Sequence, residues 1–343
     1  MATYRSIVGQ KIKKVTSDPS NPIEGQMWYN STSGKLRARL TVAAAFASGG
    51  NLPVGSSYAA SSGTYTAALY SHGLYGPGPQ PNDNKSFEYD GTSWTAGGNV
   101  NQTMRVLASS GVQTSAMAFG GNLNPNNPSF PPADSNKAES YNGTSWTNET
   151  NMPYNASGTA GFGASETSTV GFGGGASPPY ISTNTIEYNG SSWTAGGAMN
   201  IASYGVGGAG IESAGLKSGR YDPVGPGTNQ AEEYNGTSWT NVNASSNSRA
   251  TNIATGGPQT AAFSAGGAGP GSPTPNIAAA ESYDGTNWAT MANLATAGIR
   301  GGASLGTPNA NALVMGGGSS PYVGTSTEEF TAAFVDTKTV TTS

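Results

Sequence analysis

His72 is the only histidine of a 343-residue chain that has no cysteine, and these two facts bound its chemistry. No thiol is available for nucleophilic, redox or disulfide chemistry. A metal centre built on two histidines cannot be assembled. No metal and no cofactor is therefore expected, and His72, at the glycine-bounded end of a strand-like run, reads as structural. What remains is nineteen acidic side chains and sixteen tyrosines. Glycoside hydrolysis needs two carboxylates at a set separation, so pairing is the test. Glu88, Glu139, Glu187, Glu233, Glu281 and Glu329 recur with a repeat, and a residue present in every copy reads as scaffold. Glu166, Glu212, Asp222 and Asp336 are unrepeated, and nothing in the sequence ties any of them to another. No catalytic residue is assigned on this reading, and the chain is expected not to be an enzyme.

The elements that would position any site follow from a phrase that occurs five times. Phe87-Glu88-Tyr89-Asp90-Gly91-Thr92-Ser93-Trp94 returns around Trp146, Trp193, Trp239 and Trp288, at spacings of 52, 47, 46 and 49 residues. A worn copy lies at Glu329-Phe330. Asp-Gly or Asn-Gly between strand-forming Tyr and Trp predicts a hairpin with a type I′ turn. Upstream of the copies stand double glycines, as in Ala118-Phe119-Gly120-Gly121 and Gly171-Phe172-Gly173-Gly174, which read as inner strands ending where backbones crowd. Runs such as Ala156-Ser157-Gly158-Thr159-Ala160-Gly161 suit an innermost strand at a narrow axis. Four strands per period of about 50 residues predict propeller blades.

On these residues residues 41–343 resemble the kelch and galactose-oxidase-like propellers. The resemblance implies an all-β, six-bladed kelch-like β-propeller with four-stranded blades. The arginine frequent in that family is irregular here, at Arg105, Arg249 and Arg300. The copper site of galactose oxidase needs His, Tyr and Cys, which this chain cannot supply. Sialidase propellers carry Asp-boxes, whose spacing Asp-Gly-Thr-Ser-Trp does not reproduce. Phe46-Ala47-Ser48-Gly49-Gly50 matches Trp94-Thr95-Ala96-Gly97-Gly98, so residues near 40–50 are expected to give the last blade its outer strand and to hide its open edge.

Residues 1–40 do not match the repeat and read as an extension for attachment or oligomerisation. Lys11–Val15 is a strand candidate. The stretch Glu24-Gly25-Gln26-Met27-Trp28-Tyr29-Asn30-Ser31-Thr32-Ser33-Gly34-Lys35-Leu36 looks like a motif of bacteriophage tail-fibre proteins. That resemblance implies a virion protein of tail fibre, tail tip or capsid surface, partnered by other virion proteins, with Trp28 and Tyr29 as attachment residues.

With only fifteen Lys and Arg and a net charge of −4, the chain has no electrostatic footprint for nucleic acid. No apolar run approaches the ~18 residues of a membrane span, and no secretory segment is recognised at the N-terminus. The loops between second and third strands vary and carry proline and aromatics, among them Phe130, Tyr180, Tyr221 and Tyr322. Variable loops on one edge of a rigid scaffold suit recognition, and flat apolar rings suit saccharides. These four residues are the expected ligand-binding set, for a host-surface glycan or receptor. Two alternatives stay open: a purely structural virion component and a polysaccharide-degrading enzyme.

Overall fold

The computed structural model describes residues 12–75, 84–123, 133–176, 180–221, 228–249, 253–269, 276–297, 303–304, 311–317 and 324–340. Two units are present, residues 46–331 and, separately, residues 1–45 with 332–343.

The larger unit is a six-bladed propeller of four-stranded sheets. Blade 1 is Ala60–Thr64, Ala67–Ser71, Ser86–Tyr89 and Trp94–Ala96, from the axis outward. Blade 2 begins at Ala108–Val112, blade 3 at Ala160–Ser165, blade 4 at Gly207–Ile211, blade 5 at Ala254–Gly256 and blade 6 at Ala303–Ser304. Each innermost strand packs on the next, and blade 6 on blade 1, so the ring is closed. Blade 6 takes Ala45–Ser48 as its outer strand beside Thr327–Thr331, with Phe46 and Phe330 in ring contact at 5.1 Å. The closure expected from the Phe46 match is therefore present.

The repeated phrase forms a hairpin in which Tyr89 pairs with Trp94, Tyr141 with Trp146, Tyr188 with Trp193, Tyr234 with Trp239 and Tyr283 with Trp288. These ring pairs sit 4.9–5.0 Å apart in all five blades, and such pairs add about 0.5–1.5 kcal/mol beyond area burial. The expected type I′ turn is corrected. Four residues, not two, separate Tyr from Trp, and only the glycine has positive φ (+90° at Gly91). The Asp or Asn acts through its side chain instead: Asp90 Oδ1 accepts the backbone N–H groups of Thr92 and Ser93, and Asn142, Asn189, Asn235 and Asp284 do the same. This is an Asx turn.

The glutamates expected at one repeated position occupy two. Glu88, Glu187, Glu233 and Glu329 stand one residue before the aromatic, and Glu139, Glu281, Glu232 and Glu328 two before it. In a strand that single step reverses the side chain. The first set accepts the tyrosine hydroxyl of the following blade: Tyr141 to Glu88 at 2.6 Å, Tyr283 to Glu233 at 2.9 Å, Tyr234 to Glu187, and Tyr89 to Glu329 across the closure. Blade 2 has Ser140 there, and Glu149 takes Tyr188 at 2.9 Å instead. Blade 5 has Ser282, and blade 6 has Phe330, so carboxylate and hydroxyl are lost together.

The second set is fully buried and accepts backbone N–H groups from the loop leaving the preceding blade. Asn101 donates to Glu139 at 3.0 Å, Asn200 to Glu232 at 2.8 Å, Ser246 to Glu281 at 2.7 Å and Ala295 to Glu328 at 2.7 Å. Blades 1 and 3 carry Phe87 and Ile186 at this place. Scaffold is thus the role of both sets. The interface is also too close for side chains at points: a Cβ on Gly98 would lie 2.4 Å from the Thr144 carbonyl oxygen of blade 2.

In the smaller unit Lys13–Val15 pairs parallel with Met27–Asn30, which forms a hairpin with Lys35–Val42. Phe334–Thr339 completes this sheet beside Lys35–Val42, so the end of the chain after Thr331 leaves blade 6. Trp28 is fully buried, and its Nε1 and Asn30 Nδ2 both donate to Asp18 Oδ1 at 2.8 Å. Those bonds, with Arg37 nearby, hold the Asp18 carboxyl below its usual range. Trp28 therefore pins this sheet, whereas Tyr29 is 39% exposed.

The Tyr–Glu clasp makes a testable prediction. Tyr141→Phe strands the Glu88 carboxylate beside an apolar ring and lowers stability by about 1 kcal/mol. Adding Glu88→Ser copies the natural Ser282–Phe330 pair and returns part of that loss, read as the denaturant midpoint of the single and double variants.

Candidate functional site

Turns joining first to second and third to fourth strands share one face of the ring. Loops between second and third strands, and between blades, share the other. On this second face the residue two before each innermost strand is left-handed in four blades: Tyr58 (φ +57°), Val106 (+56°), Gly158 (+64°) and Gly205 (+61°). Their backbones are linked around the axis, Val106 N–H to the Tyr58 carbonyl at 2.9 Å, Gly158 to Val106 at 3.0 Å and Gly205 to Gly158 at 2.8 Å. For glycine this conformation is free, but for valine it costs about 1–2 kcal/mol. Such strain persists where the surroundings over-determine it and clusters at functional sites.

Below this collar lies an open cavity of about 120 Å³ on the axis, lined by Tyr58, Ser61, Ser109, Thr159 and Thr255, by the aliphatic Val106, Leu107, Val206 and Ile253, and by glycines and alanines. A second void of about 40 Å³ continues below it, sharing Ser61, Ser109 and Thr255. The floor hydroxyls have partners: Ser62 donates to the Ser110 backbone carbonyl at 3.0 Å, and the Ser110 and Thr169 hydroxyls lie 2.6 Å apart.

Beside the collar is the titratable cluster of the site. Asp134 leaves the short strand Ala133–Asp134, which pairs with Asn122–Leu123 in the loop region of blade 2. Asn122 Nδ2 donates to Asp134 Oδ1 at 2.5 Å, and Ser157 is a second partner. Burial nonetheless dominates and raises the Asp134 pKa above its ordinary value, the two hydrogen bonds working against it. The ring of Tyr204 fills the space over Gly158, where a Cβ would meet it at 2.3 Å, so only glycine fits there. Burial first raises the Tyr204 pKa; Ser157 opposes it, and the charge of Asp134 adds to it. The Tyr204 ring also meets that of Tyr221, tilted by 59° with centroids 5.9 Å apart, and Tyr221 N–H donates to the Tyr204 carbonyl at 3.1 Å.

Of the expected ligand-binding residues, Tyr221 joins this cluster. Tyr180 stands 39% exposed in the blade 3 loop with φ +62°, and Phe130 and Tyr322 lie outside the described residues. Glu166 and Glu212 sit at first-to-second-strand turns on the opposite face, Asp336 pairs with Lys338 at 2.6 Å in the smaller unit, and Asp222 lies outside the described residues. The sequence reading passed over Asp134 and Tyr204. One signal was available: Asp134 is an unrepeated acid in a variable loop of the recognition-suited face.

A second buried group lies between blades 1 and 2. His72 takes the place where the other blades have Gly120, Gly173, Gly219, Gly266 and Gly316 with φ of +62° to +76°, and it is itself at +58°. Its ring meets Trp146 edge-on at 5.1 Å, Nδ1 lies 2.9 Å from the Ser71 hydroxyl, and Nε2 lies 3.9 Å from Glu139. Burial drives the His72 pKa down to about 3 and that of Glu139 up to about 7. Two of the equivalent carboxylates have full cations: Lys217 on Glu232 at 2.8 Å and Arg249 on Glu281 at 3.2 Å. Burial thus keeps the His72 ring neutral. No group of three or more metal-ligating side chains is found among the described residues.

No model of a known protein family matches the chain, and no curated protein matches it. Among solved structures it is similar to that of YjhT, with 13% identity and a TM-score of 0.65, over 84% of this chain and 99% of that chain. At this identity the likeness is one of fold, and it agrees with the six-bladed architecture.

It also corrects the reading as a bacteriophage tail-fibre relative. The fold likeness to YjhT replaces membership among virion proteins, and virion location, virion-protein partners and the host-attachment role fall with it. The physical reason is that the tail-fibre resemblance rested on one short hairpin. That hairpin is a general device, an Asx turn in which Asn30 Oδ1 accepts the N–H groups of Thr32 and Ser33. The expectation that the chain is not an enzyme is overturned by the same comparison. It rested on missing Cys and His and on unpaired repeat glutamates. Those facts exclude a copper centre but not acid catalysis by an unrepeated carboxylate among tyrosines.

The raised Glu139 carboxyl gives a pH prediction. A carboxyl whose folded pKa exceeds its unfolded value contributes stability that is complete below about 4.5 and is lost as pH rises through about 7. Wild-type melting temperature therefore falls, relative to Glu139→Gln, by several degrees between pH 4.5 and pH 8, as measured by paired thermal melts.

Proposed function

We propose that the chain is a polysaccharide-degrading enzyme that works at the collar of the propeller axis. The observation that carries this reading is the Asp134–Ser157–Tyr204 network beside the axial cavity. A general acid for glycosidic oxygen must be protonated near working pH, and burial raises the Asp134 pKa in that direction. Asp134 would deliver its proton to the leaving oxygen as the glycosidic bond breaks, water would add at the anomeric carbon, and the proton that water releases would pass to solvent, from which the Asp134 carboxylate is protonated again for the next turnover. Tyr204, kept protonated by burial, serves as a fixed hydroxyl for the sugar, and the Tyr204–Tyr221 pair offers ring faces to it.

The test is reducing-end release from a panel of neutral polysaccharides. Asp134→Asn is expected to lower kcat/KM by about 100-fold or more, with the melting temperature held within a few degrees. Because the acid must be protonated, activity falls as pH rises through the Asp134 pKa. Asn122→Ala removes a bond that lowers this pKa, so it moves the alkaline limb to higher pH. Release by no substrate of the panel, or an Asp134→Asn variant as active as wild type, overturns the reading.

A further inference from the structure

The strand Phe334–Thr339 of the smaller unit has an open edge. It pairs on one side with Lys35–Val42, and among the described residues no strand lies on its other side. The phase of the hydrogen bonds fixes which groups face outward. Arg39 gives its N–H to Gln26 and its carbonyl to Gly25, away from Phe334–Thr339, whereas the Leu36 carbonyl accepts from Val340 N–H at 2.9 Å. Ala38, Leu40 and Val42 follow Leu36 in phase, and the residues opposite them are Lys338, Asp336 and Phe334. Alternation then turns the backbone groups of Val335, Thr337 and Thr339 to the open edge. The Thr337 N–H agrees, since it is met by the Asp336 carboxylate, with Oδ1 at 2.7 Å, and not by a strand. An edge of this kind is a template for a further strand.

The side chains narrow that strand to one. Read about Thr337, the run Phe334-Val335-Asp336-Thr337-Lys338-Thr339-Val340 complements its own reverse. A second copy laid antiparallel across a two-fold axis at Thr337 sets Asp336 opposite Lys338, Phe334 opposite Val340, Val335 opposite Thr339 and Thr337 opposite Thr337. The outward backbone groups then close about six inter-strand hydrogen bonds. Asp336 and Lys338 fall at the pairs without backbone bonds, where side chains approach most closely. Within one copy they already form an ion pair at 2.6 Å, with side chains 38% and 54% exposed. Charge also fixes the register. The smallest slide that keeps the backbone bonds is two residues, and it sets Asp336 against Asp336 or Lys338 against Lys338, which is repulsive. Phe334 shares its face of the sheet with Leu40 and Tyr29, and all three are exposed. The second copy's Val340 would cover Phe334 there.

We infer that the chain pairs with a second copy of itself along the edge of Phe334–Thr339, antiparallel about Thr337, joining two four-stranded sheets into one. On pairing, Asp336 releases the Thr337 N–H to the second copy's Thr337 carbonyl and turns to the second copy's Lys338. The contact uses the same patch on both copies, as a two-fold axis requires. It is independent of the proposed glycan-cleaving site.

Sedimentation equilibrium on the full chain tests this. A single strand pair buries little surface, so wild type is expected to dimerise reversibly with a Kd of about 1–100 μM. Lys338→Asp and Asp336→Lys each set like charges opposite one another and raise the Kd about tenfold or more. Combining them restores opposite charges and returns the Kd to within about threefold of wild type. Thr337→Pro removes an amide that the chain's own sheet does not use, at a place where an edge strand tolerates proline. It abolishes the dimer, with the melting temperature of the monomer held within a few degrees. A wild-type chain still monomeric at about 500 μM, which leaves the edge to a strand of other chemistry, overturns the inference. So does a dimer that survives Thr337→Pro, or a combined charge variant no tighter than the single ones.

Discussion

The contact between neighbouring blades is the constraint on which this structure depends. A four-stranded sheet with few large aliphatic side chains cannot bury enough surface alone, so each blade is completed by the next. Carboxylates do much of this work. One set takes the tyrosine hydroxyl of the following blade, and a second, buried set takes backbone N–H groups from the preceding loop. Burial and the neighbouring carboxylate push Tyr141, Tyr188 and Tyr234 up to about 12, so each hydroxyl remains a donor. That blades 5 and 6 lose both members of the clasp at once shows that the pair, not the single residue, is the unit. An unmatched member would leave a desolvated polar group.

The same constraint explains why acidic residues in this chain are poor guides to chemistry. Glu139, Glu232 and Glu281 are fully buried, two of them beside a cation and one beside neutral His72. Deeply buried charged groups often mark active sites. Here their burial marks the scaffold, and the repeated position makes that plain. Asp134 differs because it is not repeated, lies in a variable loop and shares its partners with tyrosines at the axial collar. A rigid ring with its variable loops gathered on one face is the division of labour expected of a scaffold protein.

Much of the architecture was legible from spacing. The recurring Tyr and Trp gave six blades of four strands, and the match of Phe46–Gly50 to Trp94–Gly98 placed the closing strand. The hairpin was legible, but its turn type was not, because Asn-Gly serves both a two-residue turn and a longer loop closed by the Asn side chain. The two glutamate positions were merged because they differ by one residue, a step that matters only when strand direction and face are known. The short N-terminal hairpin was read as a phage signature although its Asx turn and buried Trp28 meet ordinary folding needs.

The candidate site was legible only in part. Tyr221 was named for its loop and does lie in the cluster, whereas Tyr204, Asp134, Thr159 and Thr255 gave no common signal. They come from blades 2, 3, 4 and 5, far apart in sequence. The sequence by itself determined the repeat, the blade count, the small-residue axis and the exclusion of a Cys/His copper centre. These depend on residue types and local periodicity. Tertiary structure alone decided which carboxylates hold blades together, and which carboxyl shares Ser157 with a tyrosine at the collar. Those properties depend on burial and on neighbours that only ring closure brings within reach.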